Sequence, residues 1–111
     1  MHEMSIAQGI LDIALDAARG HGAIKRIKLK VGEMAGVVPE SLHFCFESVA
    51  AQTAAAGAEL EIELVPLKAV CGSCKNEFAV QEYRFVCPEC RAITVDIVSG
   101  RELAVEHLEV E

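Results

Sequence analysis

Polar and apolar residues alternate along this chain in patterns that predict helices in its first half and strands on either side of a cysteine-rich segment. Apolar residues recur at helical spacing after Ser5, and Ser5 with Gln8 matches a capping box. We therefore expect a first helix from Ser5 to about Arg19. From Arg26 to Val31, basic and apolar residues alternate strictly, which predicts a half-buried strand.

A second helix and two further strands are predicted from the same kind of pattern. Pro39 suits a first helical position, and the apolar stripe after it predicts a helix that ends at Gly57. Residues 59–65 alternate glutamate with apolar side chains, so their acidic face should pair with the basic face of the first strand. After Gly100 a third strand is predicted, with a bulge near Glu106 or His107 where the apolar spacing slips.

These elements predict an α+β fold with two helices on a three-stranded sheet. The strands of this sheet are expected near residues 26–31, 59–65 and 102–110. Because the cysteine-rich segment lies between the second and third of these strands, it interrupts the domain. We expect it to form an inserted zinc-ribbon-like module.

Composition and charge exclude several classes of protein. The 111-residue chain is 52% hydrophobic and 24% charged, which fits a soluble globular protein able to bury a core. Its formal net charge of −7 disfavours binding to bulk nucleic acid or to an anionic membrane. No apolar stretch reaches the roughly 20 residues of a membrane helix, and the N-terminus lacks the basic and apolar regions of a signal peptide. We therefore expect a cytoplasmic protein whose paired cysteines bind metal rather than form disulfides.

Four of the five cysteines form two Cys-x-x-Cys pairs, Cys71 with Cys74 and Cys87 with Cys90. Twelve residues separate the pairs, which is the layout of a zinc ribbon whose two tight turns present four sulfurs tetrahedrally. Such a closed site predicts one structural zinc ion. A rubredoxin-like iron site needs a similar cage, but usually has more aromatic cover than this chain without Trp offers. The side chains expected to form a small hairpin core between the pairs are Phe78, Val80, Tyr83 and Phe85.

Zinc ribbons often bind nucleic acid, and that alternative depends on charge. The segment from Cys71 to Arg91 carries equal numbers of basic and acidic residues: Lys75, Arg84 and Arg91 against Glu77, Glu82 and Glu89. It therefore has no basic stripe to neutralise phosphates, which disfavours a nucleic-acid-associated zinc ribbon. Salt-dependent binding to DNA or RNA would revive or remove this alternative.

The N-terminus carries residues that indicate a second metal. The amine of Met1, the backbone nitrogen of His2 and its imidazole Nδ1 can form fused chelate rings, and Glu3 can add its amide or carboxylate. Nickel(II) and copper(II) favour such a nitrogen-rich, square-planar site, whereas zinc prefers tetrahedral sites of nitrogen and sulfur. By itself, a histidine at the second position is most often a solvated terminal residue. Ligand chemistry alone therefore leaves the nickel site open.

Several of these motifs occur together, and in this order, in one known family. They are Met1-His2-Glu3, Gly32-Glu33-Met34-Ala35-Gly36, the segment from Pro39 to Phe46 and the two Cys-x-x-Cys pairs. On these residues the chain resembles, over essentially its whole length, the HypA/HybF family of hydrogenase nickel-incorporation proteins. The resemblance implies a nickel-binding domain of residues 1–66 and 99–111, and a zinc-binding domain of residues 67–98. It also implies that His2 is the essential nickel ligand, with Met1 and Glu3 as co-ligands by their position.

The function that this resemblance implies is that of a nickel metallochaperone, with Ni(II) as cargo and Zn(II) as a structural ion. The implied partners are the GTPase HypB and the large-subunit precursor of [NiFe]-hydrogenase, and some members of the family also serve urease. We expect a monomer or a weak homodimer. No set of His, Ser and carboxylate side chains forms a recognisable catalytic site, so we expect no enzyme activity. A zinc-stabilised adaptor without a nickel role is the remaining alternative.

Overall fold

The computed structural model of the chain describes residues 3–111 and builds two helices and six strands from them. In chain order these elements are α1 (Glu3–Ala17), β1 (Ile24–Gly32), α2 (Pro39–Ala50), β2 (Glu59–Val65), β3 (Lys68–Cys71), β4 (Glu77–Ala79), β5 (Val95–Ser99) and β6 (Leu103–Val110), with a 3₁₀ turn at Glu33–Ala35. None of the helices in this described range is long and apolar enough to cross a membrane.

The first sheet has the order β2-β1-β6, with β1 parallel to β2 and antiparallel to β6. The predicted pairing of the basic and acidic strand faces is confirmed, because Arg26 lies opposite Glu59 and Lys28 lies opposite Glu61. Arg26 contacts Glu59 at 3.5 Å and Glu109 at 3.1 Å, so it bridges both neighbouring strands. Exposed ion pairs of this kind contribute little stability, but opposite charges across a sheet favour this register over others.

The main core lies between the other face of this sheet and the two helices. The inward side chains of β1 are almost fully buried: Ile27, Leu29 and Val31. Leu42 and Phe46 of α2 pack into the same cluster, as do Ala7, Ile10, Leu11 and Ala14 of α1. The predicted fold class, two helices on a three-stranded sheet with an inserted module, is confirmed.

The bulge predicted in the last strand is also confirmed. Lys28 pairs with His107, whereas the next residue of β1, Leu29, pairs with Val105. Glu106 is therefore the extra residue that has no partner in β1. The bulge lets apolar residues on both sides of it face the core despite the slip in their spacing.

Both helix boundaries differ from the predicted ones. Ser5 lies inside α1, which already includes Glu3, so the predicted capping box at Ser5 is wrong. The second helix ends at Ala50 rather than at Gly57. Its end is set by Thr53, whose hydroxyl donates to the Ala50 carbonyl at 2.6 Å and accepts from the Ala55 N–H at 3.1 Å. A local side-chain bond of this type competes with the helical ladder, which the apolar stripe alone does not reveal.

The second sheet, of order β4-β3-β5, is formed by residues 68–99. Its small core consists of Leu67, Ala69 and Val80, with Phe78 and Phe85 partly buried against it. Tyr83 is 58% exposed, so its predicted place in this core is wrong. Tyr83 follows Glu82, and both residues adopt positive φ in a turn that carries the aromatic ring away from the core.

The two connections between the sheets meet at the end of β1. On one connection, the Leu67 N–H donates to Glu33 Oε1 at 3.1 Å. On the other, the Gly100 carbonyl accepts from the Met34 N–H at 2.8 Å. A Cβ on Gly32 would overlap the Gly100 backbone, and Gly100 has a φ of +110°, which favours glycine. One turn therefore holds both the entry to the second sheet and the exit from it, and we call this set of contacts the joint.

A second carboxylate strengthens the joint. Glu102 Oε1 accepts from the Gly100 N–H at 2.8 Å. The backbone N–H groups of Glu102 itself and of Gly100 lower the pKa of the Glu102 carboxyl below its ordinary value. The stability this bond contributes is therefore present above the ordinary carboxyl pKa and is lost as the pH falls through the lowered one.

Removing the Glu33 carboxylate should weaken the joint. In Glu33→Ala the buried Leu67 N–H loses its acceptor, and we expect a loss of roughly 1–3 kcal/mol of unfolding free energy in urea denaturation. Glu33→Gln keeps an acceptor oxygen and should lose much less.

The control is Glu47→Ala, which removes an exposed carboxylate of α2. Equal stability of Glu33→Ala and Glu47→Ala would show that the Leu67 bond does not hold the joint.

Candidate metal centres

The predicted zinc ligands Cys71, Cys74, Cys87 and Cys90 form a single cluster, with all four sulfur atoms within 4.8 Å of one another. The Sγ atoms of Cys71 and Cys90 are 3.5 Å apart, and those of Cys74 and Cys87 are 3.6 Å apart. Each close pair joins one Cys-x-x-Cys turn to the other. The cluster therefore ties together two segments that are separated along the chain.

The two turns have matching backbone geometry. The Lys75 N–H donates to the Cys71 carbonyl at 3.0 Å, and the Arg91 N–H donates to the Cys87 carbonyl at 2.9 Å. Lys75 and Arg91, directly after each pair, adopt φ of 67° and 65°. This left-handed residue reverses the chain after each turn and leaves backbone N–H groups directed toward the sulfurs. The Ser73 N–H, for example, donates to Cys71 Sγ at 3.4 Å.

The surroundings of the four thiols shift their pKa values in different directions. The backbone N–H groups of Cys90 and Glu89 lower the pKa of Cys87 to about 6, because they stabilise its thiolate. The Asn76 N–H also lowers the pKa of Cys74, but partial desolvation of its sulfur and hydrogen bonds with the neighbouring cysteines outweigh this effect and raise the pKa of Cys74 to about 12. Backbone N–H groups and neighbouring sulfurs therefore act on the pKa values of these thiols in opposite directions within one cluster.

The cluster fits zinc in its donor set and its size. Four thiolates placed tetrahedrally around zinc at about 2.3 Å lie about 3.8 Å from one another, close to the separations observed here. Cys71 and Cys87 are buried, whereas Cys74 and Cys90 are exposed, so a metal could enter from the side of the exposed pair. A bound dication would offset half of the charge of four thiolates and attract all four sulfurs.

The predicted nickel ligands fall largely outside the described residues, which include Glu3 but neither Met1 nor His2. Glu3 lies in the first turn of α1, where backbone N–H groups have no intrahelical acceptor. Its carboxylate reaches the start of α2, where Oε2 accepts from the Val38 N–H at 3.3 Å. The helix starts are thus joined by a contact between residues 35 positions apart, which no sequence pattern signals.

No local pattern around Glu33 or Leu67 predicts their contact, although both belong to the joint. The glycines near Glu33 did signal a turn, but its partners come from distant parts of the chain. Cys45, the fifth cysteine, lies outside the cluster and packs, half-buried, against the main core.

Comparison with known proteins identifies the family. A family profile described as hydrogenase/urease nickel incorporation, metallochaperone, HypA matches residues 1–110. The chain belongs to the HypA family. Hydrogenase maturation factor HypA of Geobacter sulfurreducens is 47% identical over 111 residues, covering 100% of both chains. Hydrogenase maturation factor HypA of Chlorobium limicola is 46% identical over 114 residues, covering 100% of this chain and 97% of the relative.

A solved structure shares the fold as well. The solution structure of the Ni metallochaperone HypA from Helicobacter pylori superposes with a TM-score of 0.71 and 23% identity, covering 99% of this chain and 97% of that one. The resemblance inferred from the motifs is confirmed, and HypA proteins are maturation factors that take part in nickel incorporation.

Zinc binding should depend on all four sulfurs and should weaken as the pH falls. Zinc displaces protons from the cluster, chiefly from thiols such as Cys74 whose pKa is raised, so protons compete with the metal. We expect the apparent zinc affinity, measured by competition with a chromophoric chelator, to fall from about pH 8 to about pH 6.

Cys74→Ser should release zinc and unfold the second sheet, seen as loss of amide protection in residues 68–99. Cys45→Ser is the matched control and should keep a full equivalent of zinc. Zinc retention by Cys74→Ser equal to that of Cys45→Ser would contradict a four-thiolate site.

Proposed function

We propose that this chain is a nickel metallochaperone that binds Ni(II) at its N-terminus and helps to insert it into the large subunit of [NiFe]-hydrogenase. The observation that carries this proposal is the family match, which spans the N-terminal Met-His-Glu motif and the four-cysteine cluster together. The same chain could also deliver nickel to urease, because both enzymes need this metal. The proposed role is one of transfer, without a catalytic step.

In this proposal the chain works as two units. Residues 1–66 and 99–111 form the nickel-binding unit, and residues 67–98 form the zinc-binding unit. The separate cores on the two sheets support this division. Zinc would be held by Cys71, Cys74, Cys87 and Cys90, and its role is to hold the small second sheet together.

Nickel would be bound as cargo by nitrogen atoms at the start of the chain. His2 is the proposed essential ligand, through its imidazole and its backbone nitrogen, and the Met1 amine completes the chelate. Glu3 can add its backbone nitrogen while its carboxylate contacts the Val38 N–H. That contact supports a site in which Glu3, the last ligand along the chain, lies next to the start of α2.

Ligands of this kind suit a protein that must release its metal. The terminal amine titrates at roughly 7.7–8.0, so a proton competes with nickel near neutral pH. The proposed partners are the GTPase HypB, which would exchange nickel with this chain, and the hydrogenase large-subunit precursor, which would receive it. Membership in a family of hydrogenase maturation factors supports these partners.

Nickel titration of untagged protein tests the proposed site. We expect about one equivalent of nickel to bind to the native chain and to be lost in His2→Ala, because the imidazole closes the chelate rings. An N-terminal extension by a few residues should also abolish binding, since it replaces the terminal amine by an amide.

His21→Ala is the matched control, because it removes an exposed histidine from a turn while leaving the N-terminus intact. Zinc content should stay unchanged in all variants. Nickel binding that is equal in the native chain, His2→Ala and the extended chain would refute the site.

A further inference from the structure

Helix α1 and strand β6 leave an open apolar groove between them, with a volume of about 200 Å³. Its walls include Ile6, Ile10 and Ile13 of α1 and Leu103 and Val105 of β6. Ile13 is 56% exposed and Leu103 is 40% exposed, although both belong to the faces that α1 and β6 turn toward each other. Apolar surface of this kind, left open in a well-packed fold, marks a place where another chain can bind.

The groove runs beside a free strand edge. Within residues 3–111, β6 pairs only with β1, so its other edge offers unpaired N–H and C=O groups. The inward residues of β1 are almost fully buried, whereas Val105 and Leu108 of β6 are only half-buried. A strand added to β6 would complete the backbone pairing and cover these side chains in one step.

Gly9 keeps the groove open from the helix side. It lies in the middle of α1, where glycine is less favourable than alanine, and it lines the groove. A Cβ at this position would meet nothing within 4 Å among the described residues, so packing inside the chain does not require glycine there. A close approach by another backbone would account for it.

The charges around the groove are mainly acidic. Glu106 and Glu109 lie on β6, which contains no Lys or Arg, and Asp12 and Asp16 lie on the exposed side of α1. Several of these carboxylates have partners: Asp12 accepts from Gln8, Asp16 pairs with Arg19, and Glu109 pairs with Arg26. The cations of β1 face glutamates on both neighbouring strands: Arg26 also contacts Glu59, Lys28 contacts Glu63 and is attracted by Glu106, and Lys30 lies opposite Glu63. On this outer face of the sheet five glutamates, Glu59, Glu61, Glu63, Glu106 and Glu109, outnumber the three cations Arg26, Lys28 and Lys30. On the α1 side Asp12 contacts a neutral amide, so negative charge is in excess on both sides of the groove.

We propose that the free edge of β6 binds an extended segment of a partner protein in which basic and apolar residues alternate. The apolar side chains would enter the groove under α1, and the basic ones would lie on the outer face of the sheet beside Glu106 and Glu109. A second copy of this chain fits less well, because pairing β6 with β6 would bring the glutamates of both copies together. This docking surface does not depend on nickel binding.

A blocked octapeptide of alternating lysine and valine is a direct probe of this surface. Titrated into the zinc-loaded full chain, it should shift the amide NMR signals of residues 103–110 and Gly9 and slow amide exchange along the free edge of β6. Binding should weaken as salt is added, because the charges are exposed. An octapeptide of alternating glutamate and valine, and one with four lysines followed by four valines, should bind much more weakly.

Two substitutions on α1 test whether the peptide binds in the groove or elsewhere on the helix. Gly9→Leu places a side chain in the groove and should weaken binding by about tenfold or more. Gln8→Leu is the matched control, since it puts the same side chain at the neighbouring exposed position outside the groove, and it should bind as the native chain does. Leucine is a good helix former, so both variants should fold, which circular dichroism can check.

Any of four outcomes would overturn the proposal. The first is binding of the peptide to Gly9→Leu as tight as to the native chain. The second is a set of shifts centred on the free edge of β2, and the third is equal binding of the acidic peptide. The fourth is a concentration-dependent dimer of the chain alone that protects β6, which would make a second copy the occupant.

Discussion

The second sheet depends on a cluster of four sulfur atoms that lie within 4.8 Å of one another. Among the described residues, the second sheet fully buries only Leu67, Ala69 and Val80 in its own core. So small a core cannot offset the entropy of ordering the segment, and small modules of this kind need a staple. Bare sulfurs do not supply one, because thiolates at this spacing repel each other. A dication bound by all four would replace this repulsion with attraction, which is why we propose a structural role for zinc.

The joint connects the second sheet, which carries the four cysteines, to the rest of the chain. Both connections of the second sheet return to the turn after β1, where Glu33 holds one and the Gly100 backbone holds the other. β1 is also the central strand of the first sheet, and its inward side chains fill the main core. The contact between Glu3 and Val38 then fixes the start of α1 against the start of α2. Glu3, the last of the proposed nickel ligands along the chain, therefore begins a helix that packs into the main core.

Much of this arrangement was predictable because it rests on local patterns. Alternation along β1 and β2 gave their faces and their pairing, the slip in β6 gave the bulge at Glu106, and the cysteine spacing gave the cluster. The errors arose where one side chain overrode a pattern, as Thr53 does in ending α2 early. The joint was not predictable, since Glu33 and Leu67 meet only after the sheet has formed. The groove was missed for a similar reason, because its two walls come from opposite ends of the chain.

X-ray absorption at the zinc and nickel edges, on one sample loaded with an equivalent of each metal, tests the account most directly. The account predicts zinc with four sulfur ligands at about 2.3 Å and nickel with nitrogen and oxygen ligands alone. Those two spectra would place the metals at separate sites, one built from the four cysteines and one from the N-terminus. Sulfur in the nickel coordination shell, or zinc with fewer than four sulfurs, would contradict it.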